Sequence, residues 1–372
     1  MKIERILESV IQQRFFSGKA IVLIGPRQVG KTTLIKDILR SKGDFLFLDG
    51  DDSTVRSMLS SINTQELKQL IGKHNLVFID EAQRINNIGI TAKIIVDQLS
   101  TVQVILSGSS AFDLNHHITE PLTGRKWPFQ LYPISWSELV NTRGLLYGVQ
   151  DLENRLLYGM YPDVMNRVGE ERLVLKELTD SYLYKDILSL TGIKKPEVLE
   201  KLLQALALQI GSEVSYNELA NLLGVNSRTI SDYIDLLEKV FVIFKLPSWS
   251  RNVRNELKKS RKIYFYDLGI RNTLINNFNP MHMRQDKGAI WENFLIVERL
   301  KKTAYAQSPV NTYFWRTTQQ QEVDYIEEKE GQLYAFEFKW NENAKAKLSK
   351  TFTSHYEAEF KVIHKGNFMD FI

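Results

Sequence analysis

Cysteine is absent from the 372 residues. That excludes disulfides and cysteine-ligated zinc, and it fits a reducing compartment. Apolar runs of membrane-spanning length are also missing. The opening residues Met1-Lys2-Ile3-Glu4-Arg5 are charged and lead into an amphipathic helical pattern rather than the apolar core of a secretion signal, so a cytoplasmic location and no membrane partner are expected. No internal repeat or low-complexity tract stands out. A large charge of one sign is lacking as well: the formal net charge is +4, too small to imply a nucleic-acid partner by itself. What remains is ordinary for a globular chain, with 43% hydrophobic and 25% charged residues. The length exceeds one ordinary core, so more than one domain is expected.

The strongest local signal is Gly25-Pro26-Arg27-Gln28-Val29-Gly30-Lys31-Thr32-Thr33, which fits G-x-x-x-x-G-K-S/T. The apolar run Ala20 to Ile24 precedes it and reads as a buried parallel strand. Leu34, Ile35, Ile38 and Leu39 follow at helical spacing. Strand, glycine-rich turn and helix together predict a phosphate-binding loop. Glycine permits the tight turn, backbone N–H groups point inward, and the helix start adds positive potential. Lys31 is expected at the β- and γ-phosphates, and the Thr32 hydroxyl on Mg²⁺.

Leu76-Val77-Phe78-Ile79 then runs into Asp80 and Glu81. A buried strand that ends in acids delivers them to the edge where ligands bind in α/β sheets. Asp80 is expected to hold Mg²⁺ through water, and Glu81 to orient the attacking water. A further strand, Val102 to Leu106, ends in Ser107-Gly108-Ser109-Ser110. Ser109 is either a hydroxyl for the γ-phosphate or the water, or simply a strand-end cap.

The order GPRQVGKTT, FIDEAQ, LSGSS, LTGR (Leu122 to Arg125), LYPISWSEL (Leu131 to Leu139) and YPDV (Tyr161 to Val164) resembles the prokaryotic AAA-type ATPases that carry a C-terminal domain of unknown function. The family usually shows Gly-Gly-Tyr-Pro where this chain has Met160 before Tyr161. The resemblance implies ATP rather than GTP. It also implies an arginine that completes the ATP site, for which Arg125 is the nearest match. An arginine can neutralise transferring phosphoryl charge in cis or from a neighbour; in trans it would require a homo-oligomer.

Farther along, Glu171 to Leu190 and Glu197 to Ile210 read as helices. Ser215 and Glu218 form a capping-box pattern, Gly224 closes that short helix, and Arg228 to Val240 follows with one apolar face. Helix, turn, helix and then the strand-like Phe241 to Leu246 suggest a winged helix-turn-helix. Residues 251–262 hold Arg251, Arg254, Lys258, Lys259, Arg261 and Lys262 against Glu256. Such a patch favours a DNA backbone, while Asp232 and Asp235 on the second helix oppose one. A protein partner is the other reading.

The last stretch alternates strands with one long helix, Ala289 to Leu300. In Leu333 to Trp340 a period of two puts Tyr334, Phe336, Phe338 and Trp340 on one face, with Glu337 and Lys339 on the other. Asp324 lies on the preceding strand, and Glu292 on the helix. Carboxylates so placed can hold a divalent metal, with a lysine to steady developing charge. This D…E-x-K pattern with a helical glutamate resembles the PD-(D/E)XK nuclease fold.

The fold class read from the sequence is therefore α/β: an AAA-like P-loop ATPase domain over 1–165, a helical and winged-helix-like part over 166–262, and a nuclease-like domain over 263–372. Two functional readings stand. One is Mg²⁺-dependent ATP hydrolysis coupled to DNA engagement, with cleavage at Asp324, Glu337 and Lys339. The other is a slow ATP-dependent switch that presents its rear domains to a protein partner without cutting.

Overall fold

A computed structural model describes residues 2–109, 120–180, 195–249, 261–308 and 310–372. They divide into two units, Met1–Ile134 with Lys239–Phe241, and Ser135–Glu238 with Val242–Ile372. The sequence reading sets its divisions at 165 and 262 instead.

In the first unit α1 (Leu7–Gln12), β1 (Ala20–Ile24), α2 (Lys31–Lys42), β2 (Leu46–Asp49), α3 (Ser53–Leu59), α4 (Thr64–Ile71), β3 (Leu76–Asp80), α5 (Ile88–Gln98), β4 (Gln103–Gly108) and β5 (Lys126–Gln130) follow one another. The strands form one sheet in the order β2-β3-β4-β1-β5, and every pairing is parallel. Strands buried on both faces need continuous apolar runs, and β3 and β4 are buried along their whole length. Val22, Val77, Ile79, Val104 and Leu106 pack with Leu67, Ile71, Ala92 and Ile95 from the helices. Polar side chains set the helix starts: Asp52 accepts from the Thr54 N–H, and Asn63 closes a capping box with Glu66. The opening helix is short; after Gln12 the chain turns, and Phe16 takes a left-handed φ of 54°.

The second unit opens with α6 (Trp136–Arg143), α7 (Leu145–Tyr158), α8 (Pro162–Asn166) and α9 (Glu171–Leu178). The rest of the helix expected to reach Leu190 lies mostly outside the described residues. Next come α10 (Pro196–Leu208), β6 (Glu213–Val214), α11 (Tyr216–Leu223), α12 (Ser227–Lys239), β7 (Ile243–Pro247) and β8 (Arg261–Phe265). The Ser215 hydroxyl accepts from the Glu218 N–H at the start of α11, and Gly224 ends that helix. Asn226 caps α12 through the Thr229 N–H at 2.8 Å. The three strands form an antiparallel sheet in the order β6-β8-β7.

The remainder is α13 (Leu268–Leu274), α14 (Lys287–Tyr305), β9 (Asn311–Arg316), β10 (Glu322–Lys329), β11 (Gln332–Phe338), α15 (Lys350–Thr353), β12 (Ala358–Ile363) and α16 (Phe368–Phe371). Its sheet runs β12-β11-β10-β9. The first three strands are antiparallel, and β12 joins β11 in parallel. The period-two face of β11 is borne out, with Phe336 and Phe338 packed near Tyr325 and Phe371. The opposite face is covered too: Leu333 and Ala335 are buried with Trp315 and Phe352. Among the described residues no helix is long and apolar enough to cross a membrane.

One buried amide holds α14 to β8. The Asn293 side chain accepts from the Phe265 N–H and donates to the Phe265 carbonyl, both at 2.9 Å. It completes at the strand's end the pair of bonds that another strand would have made. Asn293 is 1% exposed, so water cannot take its place. Asn293→Leu keeps the volume and orphans both backbone groups, at about 1–3 kcal/mol each. Urea unfolding should show the second unit less stable; an unchanged midpoint would remove this role.

Candidate functional site

Parallel pairing aims the C-terminal ends of β1, β3 and β4 at one edge of the first sheet. The phosphate-binding loop leaves β1 there. Gly25 is required by a close approach: a Cβ would stand 2.1 Å from the Leu131 carbonyl oxygen. Gly30 caps α2 with φ 94°. Val29 is buried, and its carbonyl accepts from the Arg5 guanidinium at 2.8 Å, which also reaches the Tyr132 carbonyl at 2.6 Å. Arg27 lies close enough for its charge to act on Lys31. Gln28 holds a left-handed φ of 61° in the turn. Lys31 is 5% exposed and donates to the Gly25 and Pro26 carbonyls at 2.9 and 2.8 Å. Thr33 faces outward on the first turn of α2, away from the loop it was expected to help form.

The two halves of the motif meet. The Thr32 hydroxyl donates to Asp80 Oδ2 at 2.6 Å. Asp80 Oδ1 accepts from the Ser107 hydroxyl and, at 3.1 Å, from the Glu81 N–H. A hydroxyl beside a buried carboxylate is a donor set suited to Mg²⁺. Glu81 adopts φ 46°, which turns its side chain out of the strand direction. Its Oε2 accepts from the Gln83 amide at 2.6 Å, and the Ser109 hydroxyl stands 3.5 Å away. The same amide reaches Ser109 at 3.0 Å.

Gln83, Ser107, Arg5 and Gly50 escaped the sequence reading. A Cβ at Gly50 would stand 2.5 Å from the Glu81 carbonyl and 2.9 Å from that of Asp80, so β2 can lie against the acid pair only with glycine there. Gln83 had a signal, since FIDEAQ places it two residues past Glu81.

Arg125 is not part of this cluster. Its carbonyl accepts from the Ala20 N–H at the start of β1, so it sits at the opposite edge of the sheet from the loop. Its guanidinium pairs with Asp97 at 2.7 Å. The expectation that it completes the ATP site in cis is corrected on that ground.

In the second unit the structure gathers the predicted carboxylates. Asp324 lies one residue beyond the Tyr325–Phe336 pair, and its Oδ2 accepts from the Phe338 N–H at 2.8 Å. Glu337 Oε1 pairs with the Lys339 ammonium at 2.7 Å. Glu292 Oε1 accepts from the Tyr264 hydroxyl at 2.5 Å and from Lys262 at 2.9 Å. Burial, with Glu292 and Glu337 nearby, lifts the Asp324 carboxyl well above its ordinary range. Among the described residues no group of three His, Asp or Glu side chains is arranged to hold a metal ion.

The basic stretch looks different from the sequence picture. Arg251, Arg254, Lys258 and Lys259 lie outside the described residues. Lys262 is 1% exposed and bound to carboxylates, so it is no phosphate contact. Asp235, counted against DNA, pairs with Lys245 at 2.6 Å, and Glu238 pairs with the same ammonium.

Burial pushes Lys31 down to about 8, while Glu81 and Asp80 pull it partly back. The ordinary value is 10.5, so between these values the unfolded chain binds more protons and stability rises with pH. The penalty is fully present below that window and gone above it. Lys31→Met removes it, at the cost of two hydrogen bonds to carbonyls. Without nucleotide, the variant's melting temperature relative to wild type should therefore fall as pH rises from about 7 to about 10.5. A difference that does not change with pH refutes the buried charge.

Residues 17–140 match a family model described as an AAA domain. Residues 149–281 and 287–369 each match a domain of unknown function, DUF8612 and DUF4143. An uncharacterized protein of Mycobacterium tuberculosis is 29% identical over 340 residues, 88% of this chain and 72% of the relative. One of Haemophilus influenzae is 25% identical over 313 residues, 76% of this chain and 74% of the relative. Among solved structures, a Walker-type ATPase of Pyrococcus abyssi aligns with a TM-score of 0.55 at 17% identity, over 74% of this chain and 96% of that one. The parallel sheet and the joined loop and acid motifs give the first unit a P-loop NTPase fold, and its residues 17–140 are similar to the AAA domain family.

Proposed function

We propose that the chain hydrolyses ATP and that the state of its nucleotide governs how the second unit engages DNA. The observation that carries the first half is the Thr32–Asp80 contact with Glu81 beside it. Backbone N–H groups from Arg27 to Thr32, at the start of α2, bind the phosphates. Lys31 exchanges its two carbonyl partners for phosphate oxygens. Mg²⁺, held by Thr32 and Asp80, would offset phosphate charge. Glu81 orients the attacking water and draws its proton, while Gln83 and Ser109 fix the carboxylate.

The second half is favoured by element order. Helix α10, strand β6, helices α11 and α12, then β7 and β8 in a β6-β8-β7 sheet is the order of a winged helix. Helix α12 has Asp235 paired with Lys245, an ammonium it shares with Glu238, which lowers the repulsion toward a phosphate backbone. Arg261 remains at the start of β8, beside the Tyr216 ring. The α14-β9-β10-β11-α15-β12 order, with a parallel last strand, supports a nuclease-like fold, but fold alone does not supply cutting. In this cluster Glu292 and Glu337 are each paired with a lysine, and that favours holding DNA over cleaving it.

Phosphate release from ATP tests the proposal, with and without double-stranded DNA. Glu81→Gln should slow release by about a hundredfold or more with ATP still bound, and Lys31→Ala should abolish it. DNA should stimulate the wild type, and the stimulation should fade steeply with added salt. A rate indifferent to DNA would reject the DNA half and favour the second reading, a slow switch that presents these units to a protein partner. Sedimentation with ATP tests Arg125 in trans: a monomer that hydrolyses ATP at full rate excludes that role.

A further inference from the structure

The C-terminal cluster contains a residue that the metal reading does not use. Lys262, on β8, points its ammonium into the group of acids. It pairs with Glu292 at 2.9 Å and with Glu322, and it lies within the field of Asp324. Its side chain is 1% exposed, against 34% for Lys339, which pairs with Glu337. The Phe314 ring stands 5.5 Å from the same ammonium. The backbone is fixed as well, because β8 is the middle strand and Lys262 is paired with Glu213 on one side and Leu246 on the other.

A buried ammonium stays charged only where acids outweigh the loss of water. Burial alone would push Lys262 down, yet Glu292, Glu322 and Asp324 together raise it above its ordinary value. A hard divalent cation asks for six or more oxygen ligands around one point. Here Glu292 Oε1 is spent on Lys262 and Tyr264, and Asp324 Oδ2 on the Phe338 N–H. The residues therefore do not fit a bound metal while Lys262 is in place.

We propose that the Lys262 ammonium is the resident cation of this cluster, paired with Glu292 and Glu322 beside Asp324, that it keeps divalent ions out, and that only its replacement opens the cluster to one. The inference is independent of ATP hydrolysis and of DNA binding. It assigns the cluster a fixed internal charge in place of an exchangeable one.

The test counts bound Mn²⁺ by electron paramagnetic resonance on the full chain. Asp80→Asn is present throughout, so that the phosphate-binding site does not contribute. With Lys262 intact, adding Asp324→Asn should not change Mn²⁺ binding. Lys262→Met should gain one bound Mn²⁺, tighter by on the order of tenfold or more, and Asp324→Asn should remove the gain. Mn²⁺ bound to the lysine-containing chain in a manner that Asp324→Asn abolishes would overturn the proposal. So would a folded Lys262→Met chain with no gain. Unpaired acids can unfold Lys262→Met, so Lys262→Met/Glu322→Gln, which removes one acid with the lysine, must show the same gain. If neither variant folds by circular dichroism, the comparison in the lysine-containing chain decides.

Discussion

An ammonium cannot be left bare inside a protein, and both units of this chain bury lysines almost free of water, Lys31 in the first and Lys262 in the second among them. The two solutions differ. Lys31 is met by backbone carbonyls, neutral dipoles that hold the charge without cancelling it, and it is left ready to exchange them for a stronger anion. Lys262 is met by formal negative charge from a helix and a strand, and it has no such readiness. In the proposed reading the first lysine belongs to a place of turnover and the second to a place that stays closed. Much of the surrounding architecture follows from these needs: the tight loop under Lys31, and the contact of α14 with β8 that carries Glu292 next to Asn293.

The strand, loop and helix at the head of the first sheet were legible in the sequence because they are local. Strand, turn and helix occupy consecutive residues, and their chemistry is written in residue types that few other tasks require. The acid pair was legible for the same reason, as the end of an apolar run. The residues that escaped act across the sheet. Ser107 matters because β4 lies beside β3, Gly50 because β2 lies on the other side, and Arg5 because the chain's start passes the loop. None of these adjacencies is encoded within a short window. Arg125 shows the opposite failure. A motif can point to a residue type without fixing the edge of the sheet on which it stands, and in a parallel sheet the edges are a strand's length apart.

In the second unit the pattern of two read β11 well, and Asp324 stands near enough to Glu292 and Glu337 for their charges to act on it. Lys262 was read with its charged neighbours as part of a basic patch. Its strand partners turn it inward, on the same side as Tyr264, and it is tolerated there because Glu292 on a helix and Glu322 on a strand, both distant in sequence, meet its charge. Strand β12 was not read at all. Its alternate residues remain partly exposed, so it lacks the apolar run that marked β1, β3 and β4, and it owes its place to parallel pairing with β11. Most of the basic patch read from the sequence falls in 250–260, outside the described residues.

The order β2-β3-β4-β1-β5 has a consequence for synthesis. Strand β1 leaves the ribosome before every other strand of its sheet, yet its neighbours are the last two to emerge. Through the translation of some eighty residues between them, an apolar strand waits with both hydrogen-bonding edges unsatisfied. The nascent chain is then most open to misassociation, and chaperone demand should be set by this interval rather than by the finished fold. A chain cut short after β3 would carry that strand permanently unpaired, so premature termination within the first unit yields a sticky fragment rather than a smaller domain.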